Sequence, residues 1–281
     1  MRLRSLLFVP GDRPERFEKG LASGADAVIL DLEDSVAPAN KSKARDSMHT
    51  FVQRHAGETK LLIRINPLTS PEFEGDIAAL SGLQPFALML PKAEGAASVR
   101  NLASSLATAL PILPITTETP SAIFEIGSYR KVADRLCGLT WGAEDLPAAI
   151  GATTARRTDG RYTPPYELAR SLTLFAAHAA AVPAIDTVYP DFRDLNGLRA
   201  YVGRARRDGF SGMMAIHPSQ VEAINQTFTP DASEIAWAEK IAAAFAANPD
   251  AGAIQLEGRM LDLPHLKLAH RILASAGRQA N

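Results

Sequence analysis

Eight short apolar runs, most of them separated by segments with helical spacing, predict an α/β fold. The order predicts that the strands close as a (β/α)8, or TIM, barrel with a helical extension at the C-terminal end. The runs are SLLFV (5–9), AVILD (27–31), LLIRI (61–65), ALML (87–90), ILPIT (112–116), LCGLTW (136–141), AIDTV (184–188) and MMAI (213–216). Each is rich in branched residues and bounded by Gly, Pro or charge, as a buried strand should be. Between them ERFEKGLASG, KSKARDSMHTFVQRH, FEGDIAALSG, SVRNLASSLATAL, YELARSLTLFAAHAAA and LNGLRAYVGRARRDG carry helix formers at three- and four-residue spacing. Alternating strands and helices imply parallel pairing with right-handed crossovers, and eight such units close naturally. A doubly wound open sheet is the alternative.

No short repeat or low-complexity linker interrupts residues 1–229, which are therefore read as one barrel domain. Residues 230–281 form the extension. After Pro230, the stretch DASEIAWAEKIAAAFAANP starts with acidic and hydroxyl residues and places Ile235, Ala238, Ile241 and Phe245 on one helical face. PHLKLAHRILASAG predicts a second helix, joined to the first by AGAIQLEGRMLD.

Composition narrows the function. The 281 residues are 46% hydrophobic and 22% charged with a net charge of −1, and the basic residues are dispersed, so neither a nucleic-acid stripe nor a polybasic membrane patch is expected. No apolar run reaches the ~20 residues of a spanning helix. The opening MRLRSLLFVPGDRPERF lacks the long apolar stretch and small-residue cleavage site of a secretory signal, so residue 1 is read as part of the fold. The single cysteine, Cys137, lies in the apolar run RLCGLTW and is read as an inert buried thiol suited to a reducing cytoplasm.

In a closed parallel barrel the groups just past each strand converge on one face, where such folds place their active sites. Here those positions hold Arg13, then Asp31, Glu33 and Asp34, Arg64 and Asn66, Lys92 and Glu94, Glu118, Glu144 and Asp145, Asp191 and His217. Singly, each reads as a solvated loop charge. Together they sit against apolar strand sequence, where an unpaired charge is costly unless a counter-ion or metal compensates it. Glu118 and Asp145 are the best metal candidates, because hard carboxylate oxygens suit Mg²⁺. Arg64 should project from a strand end as a fork for a carboxylate or oxyanion. Its alternative reading is an ion pair with Glu33 or Glu94. The opening Phe-Val-Pro-Gly-Asp-Arg-Pro, with Arg13 and Lys19, could wrap a phosphate-bearing ligand, and a plain turn into the first helix explains it equally well.

RSLLFVPGDRPERFEKGLASGADAVILDLEDSV, RIN, LPKAE, ITTETPSA, TWGAEDL, AIDTVYPDF and GFSGMMAIHPSQV occur in this order, and the chain from residue 4 to about 272 resembles the citrate lyase beta-subunit-like family. That family lies within the HpcH/HpaI aldolase superfamily and includes malyl-CoA and citramalyl-CoA lyases. The resemblance implies a TIM barrel, usually a homotrimer, holding Mg²⁺ through Glu118 and Asp145. It implies that Arg64 contacts a 2-oxo acid whose carboxylate is held by the backbone of Gly142, Ala143 and Glu144. It places Phe8, Arg13, Lys19, Ile216 and His217 along the coenzyme A moiety. It also implies that Asp262, from the extension of a neighbouring subunit, completes the site; by itself Asp262 reads as a helix cap. Two departures stand out: Met213 replaces a Lys common in relatives and removes a candidate CoA phosphate contact, and TTETPSA replaces the commoner ETA.

The implied reaction is a Mg²⁺-dependent cleavage, or formation, of a 3-hydroxyacyl-CoA ester such as malyl-CoA or citramalyl-CoA into an acyl-CoA and a 2-oxo acid. One alternative is the lyase subunit of a citrate lyase complex acting on citryl-acyl carrier protein. Another is a barrel that binds metal and 2-oxo acid without turnover.

Overall fold

The computed structural model describes residues 2–55, 57 and 60–278. Met1, read above as part of the fold, lies outside the described residues. Two compact units are present, Leu3–Asn225 and Gln226–Asn281.

The first unit runs β1 (Ser5–Pro10), α1 (Phe17–Leu21), β2 (Ala27–Asp31), α2 (Lys41–Arg54), β3 (Leu61–Arg64), α3 (Phe73–Ala79), β4 (Ala87–Leu90), α4 (Gly95–Ser105) and β5 (Ile112–Pro114). It continues with α5 (Pro120–Glu125), a 3-10 segment (Ile126–Arg135), β6 (Leu139–Thr140), α6 (Asp145–Ile150), α7 (Pro164–Ala179), β7 (Ala184–Asp186), α8 (Leu195–Asp208), β8 (Gly212–Ala215) and α9 (Pro218–Phe228), whose last turn passes into the second unit. The strand order is β5-β4-β3-β2-β1-β8-β7-β6, with every pairing parallel. Bridges Ile112↔Leu136 and Ile115↔Thr140 join the two ends, with the Thr116 amide donating to the Thr140 carbonyl at 2.9 Å. The sheet is therefore a closed barrel and not the open alternative.

Each predicted strand is present, and four, β3, β5, β6 and β7, are shorter than their apolar runs. LCGLTW forms ladder only at Leu139–Thr140. Gly138 explains part of this: a Cβ there would lie 3.0 Å from the Pro183 carbonyl and 3.2 Å from Leu113, so the backbone approaches its neighbours too closely for another residue.

Period-two alternation decides what reaches the barrel mouth. Leu6, Ala27, Ile29, Leu62, Ala87, Met89, Leu113, Ile115, Ile185 and Met214 fill the interior. Asp31 continues the parity of Ala27 and Ile29, and Arg64 that of Leu62, so both turn inward at the C-terminal rim. They are also register partners on neighbouring strands. Asp186 has the opposite parity to Ile185 and faces the helices. There it accepts from Trp141 Nε1 at 2.6 Å, Arg170 Nη2 at 2.8 Å and Tyr201 Oη at 3.2 Å, tying the ends of β6 and β7 to α7 and α8. Cys137 is buried, and burial pushes its thiol up to about 12, which fits the inert reading.

The second unit has its own small core. In α10 (Ala232–Ala246), Asp231 caps the helix and Glu234 completes the capping box. Ala238, Ile241 and Phe245 pack with Leu261, Ala269 and Leu273. The joining segment is not a plain connector: β9 (Ala253–Leu256) and β10 (Arg259–Asp262) form an antiparallel hairpin before α11 (Leu263–Ser275). Its two turn residues, Glu257 and Gly258, have φ of 48° and 77°, as a tight hairpin of this type demands.

Candidate active site

The C-terminal mouth of the barrel opens into a cavity of about 300 Å³ lined by Phe8, Asp31, Arg64, Ile115, Glu118, Gly142, Ala143, Glu144, Asp145, Thr187, Met214 and Ile216, among others. Eight of these residues had been singled out as site candidates: Phe8, Arg64, Glu118, Gly142, Ala143, Glu144, Asp145 and Ile216. The structure brings them together from five different strand ends.

Arg64 is anchored by a two-pronged pair with Asp31, Nε to Oδ1 and Nη2 to Oδ2, each 2.7 Å. Its Nη1 lies 3.0 Å from Glu33 Oε2, and its Cζ sits 4.9 Å from the centre of the Phe8 ring. The alternative reading of Arg64 as an ion-pair partner is thus true for Glu33 and not for Glu94, which accepts instead from Thr119 Oγ1. Arg64 also lines the cavity. Burial raises the Asp31 carboxyl, but the hydrogen bonds and charge of Arg64 outweigh it and hold the group below its usual value.

Glu118 stands one residue before the cap of α5, where Thr119 accepts from the Ala122 amide and Pro120 opens the helix. It is 4% exposed, and its Oε2 accepts from the Lys92 backbone N–H at 2.6 Å. Gly142 makes room for it, because a Cβ there would sit 3.0 Å from both Glu118 Cγ and Oε1. Asp145 is the first residue of the short helix α6, one-third exposed, with its Oδ1 3.4 Å from Lys92 Nζ. Lys92 Nζ also donates to Glu33 Oε1 at 2.7 Å. Burial pushes Glu118 up to about 8, the Lys92 amide opposes this, and the charges of Glu33 and Asp145 add to it. Glu33 is likewise raised by burial, only partly offset by Arg64 and Lys92.

Fully ionised, the four carboxylates Asp31, Glu33, Glu118 and Asp145 outnumber Arg64 and Lys92 by two at a half-buried mouth, and the more exposed Asp34, 3.8 Å from Arg64, adds a fifth. A divalent cation would offset the excess carried by those four. Among the described residues no group of three or more His, Cys, Asp or Glu could hold a metal, which speaks against a closed all-protein cage. Two carboxylates beside open space are what Mg²⁺ uses, because it keeps sites for water and substrate. The donor set fits that ion.

The Gly142 N–H donates to Thr117 Oγ1 at 3.1 Å, and Thr117 returns a bond to the Gly142 carbonyl at 2.8 Å. That exchange fixes the strand end, and Ala143 and Glu144 just beyond it line the cavity. The remaining candidates lie apart from the cavity lining. Arg13 is exposed, its Nε 3.9 Å from Asp12, and Lys19 is exposed on α1. His217 is exposed and stacks on Phe192 with ring centres 4.7 Å apart, its Nδ1 against Ser219 Oγ. Met213 is fully buried in β8. Asp262 belongs to the second unit, where it is the N-cap residue of α11 and its Oδ1 meets His265 Nδ1 at 2.5 Å. The sequence places Asp31 and Lys92 among the strand-end charges of the active-site face but assigns neither a role; their partners, Arg64 for the first and Glu33 and Asp145 for the second, come from the structure.

With Glu118 as a metal ligand, its raised carboxyl would make metal binding pH-dependent. A carboxyl raised in the folded state from 4.5 to about 8 binds more protons folded than unfolded in that interval, so its contribution to stability is present below 4.5 and is lost as pH rises through 8. In EDTA the melting temperature should therefore fall across that window relative to a Glu118→Gln variant. Added Mg²⁺ should reverse the fall, with affinity rising up to about pH 8. A pH-independent difference between the two proteins would refute the assignment.

A (β/α)8-barrel enzyme with an acidic, metal-suited mouth is what fold and site define. The pattern described as HpcH/HpaI aldolase/citrate lyase matches residues 4–218, and the chain belongs to that family. It is 38% identical over 271 residues to a citrate lyase subunit beta-like protein of Mycobacterium tuberculosis, covering 96% of this chain and 94% of that protein. It is 32% identical over 301 residues to the mitochondrial citramalyl-CoA lyase of Rattus norvegicus, covering 97% and 86%. The crystal structure of CitE from Mycobacterium tuberculosis in complex with magnesium, acetoacetate and coenzyme A superposes with a TM-score of 0.84 at 36% identity, covering 98% of each chain. No described helix is long and apolar enough to cross a membrane.

Proposed function

We propose that this pocket cleaves, or forms, the carbon–carbon bond of a 3-hydroxyacyl-CoA ester, of the malyl-CoA or citramalyl-CoA type, with a 2-oxo acid and an acyl-CoA as the other side of the reaction. Membership of its family makes the chain a carbon–carbon lyase. The observation that carries the substrate class is the surplus of carboxylates beside an anchored guanidinium. It suits a divalent cation, and Arg64, held on Asp31, lines the same cavity. The likeness to a CitE crystallised with magnesium, acetoacetate and coenzyme A supports the same reading.

Glu118 and Asp145 hold the Mg²⁺, which when bound supplies Lewis acidity toward the oxygen atoms of the 2-oxo acid portion. Arg64, already oriented by Asp31, stabilises the oxyanion that develops as the bond breaks. The amides of Ala143 and Glu144 hold the carboxylate of the acid, and Gly142 gives Glu118 its place. Phe8, Ile115, Met214 and Ile216 form an apolar wall that keeps water from the acyl carbon. Phe8 and Ile216 lead from that wall toward the CoA moiety, with Arg13, Lys19 and His217 further out along it. Asp262 of a neighbouring copy in a homotrimer delivers or removes the proton at the acyl carbon. The lone buried Cys137 thiol fits a cytoplasmic setting.

Purified protein with Mg²⁺, challenged with malyl-CoA, citramalyl-CoA and related thioesters and read by mass, should release an acyl-CoA and one 2-oxo acid. Asp262→Ala should slow turnover ~10²–10⁴-fold, the usual cost of removing a proton-transfer group, and mixing it with Arg64→Ala should restore part of the activity if copies share sites. No restoration in verified mixed oligomers would remove the shared site. Turnover only with citryl-acyl carrier protein, alongside co-purifying carrier and transferase subunits, would favour a citrate lyase complex. No turnover at all would favour a binding barrel.

A further inference from the structure

Among the described residues, Lys92 is the cation placed against both Glu33 and Asp145. Its ammonium lies 2.7 Å from Glu33 Oε1 and 3.4 Å from Asp145 Oδ1, while its own backbone N–H holds Glu118 Oε2 at 2.6 Å. The residue has φ of 50°, in the left-handed region that costs a side-chain-bearing residue ~1–2 kcal/mol. A strained backbone persists where surrounding interactions over-determine it. Here it lets one residue direct its amide to Glu118 and its side chain to Glu33 and Asp145.

We propose that Lys92 is the internal counter-ion of the mouth when no metal is held, resting on Asp145 and Glu33 in place of part of the cation's charge, and that its positive charge caps the metal affinity of the site. The proposal rests on the reading of Glu118 and Asp145 as metal ligands. With Lys92 present, the four carboxylates Asp31, Glu33, Glu118 and Asp145 carry an excess of two over Arg64 and Lys92, which a divalent ion offsets. Without it the excess is three, the empty site is more repulsive, and the ion gains more by entering. The strength of such an effect is set by the low effective dielectric of a half-buried site, where a unit charge a few ångströms from a divalent ion changes its affinity by about tenfold or more. The metal is thereby held loosely enough to arrive and leave with the substrate.

The opposite role, in which Lys92 serves only to clamp the loop, predicts the reverse sign, and calorimetric titration of EDTA-treated protein with MgCl₂ separates the two. Lys92→Met should bind Mg²⁺ about tenfold tighter than the parent at pH 8 and should gain more in melting temperature per added Mg²⁺. Lys92→Arg, which keeps the charge, should match the parent. Lys92→Met combined with Glu33→Gln removes one charge of each sign and should return affinity to the parental level. Weaker binding in Lys92→Met that the double variant fails to restore would overturn the counter-ion role and leave the metal assignment standing. If the parent itself shows neither heat nor thermal shift with MgCl₂, the metal reading fails and this proposal falls with it.

Discussion

Asp145→Ala is expected to abolish Mg²⁺-dependent cleavage while leaving the protein folded. Two protein carboxylates are assigned to the ion, and Asp145 is the more accessible of them, one-third exposed and at the first turn of a short helix. Its removal breaks no packed contact, so stability should change by only about ±0.5 kcal/mol, the range of ordinary surface substitutions. Losing half of the protein ligands removes several kcal/mol of charge stabilisation in the transition state. At 1.36 kcal/mol per decade, a loss of ~4 kcal/mol is roughly 10³-fold in kcat. The check is turnover against Mg²⁺ concentration together with a thermal melt. Undiminished Mg²⁺-dependent turnover in a folded variant would remove Asp145 from the metal site.

Arg64→Ala should be the most damaging single change, because it acts on stability and chemistry at once. Asp31 is 1% exposed, and its charge is balanced by the two-pronged pair. Taking away one partner of a buried pair costs ~3–5 kcal/mol, since the other charge stays buried. The lower end is expected here because the Glu33 and Ser35 amides still donate to the Asp31 oxygens. The folded Asp31 carboxyl is held below 3.8, so its stabilisation is present above that value and fades as pH falls through the lower, folded one. The penalty of Arg64→Ala, read by denaturant unfolding, should accordingly shrink in acid as Asp31 becomes protonated. Activity should fall by a further ~10²–10³-fold in kcat for lost oxyanion stabilisation, measured at low temperature where the variant remains folded. Arg64→Lys should rescue little, since an ammonium cannot reproduce both prongs. Parental stability and parental turnover in Arg64→Ala would sink both roles.

What could be read directly from the chain followed from short-range rules. The eight apolar runs fixed strand positions because parallel strands buried on both faces need branched apolar residues on both parities. The acidic cap and the face made by Ile235, Ala238, Ile241 and Phe245 announced α10, because capping and helical period are local. Glu118, Asp145 and Arg64 were legible as strand-end charges against apolar sequence, and TTETPSA contained the cap that seats Glu118. The β9–β10 hairpin was not legible, because its turn is Glu257-Gly258 and a glutamate with positive φ is a weak signal beside Asn-Gly or Asp-Gly. The shortening of β6 at Gly138 depended on how closely Pro183 and Leu113 approach, a non-local fact.

The sequence by itself therefore determined the kinds of element, their order and the charged groups at each strand's end, since these depend on neighbours three or four residues away. Only the tertiary structure decided which charges meet. Barrel closure set Asp31 beside Arg64 in register and swung Lys92 between Glu33 and Asp145. It also buried Glu118 against Gly142. Those pairings join residues 24 to 59 positions apart, and their energies depend on burial and on distances of a few ångströms, which no local pattern of residues encodes.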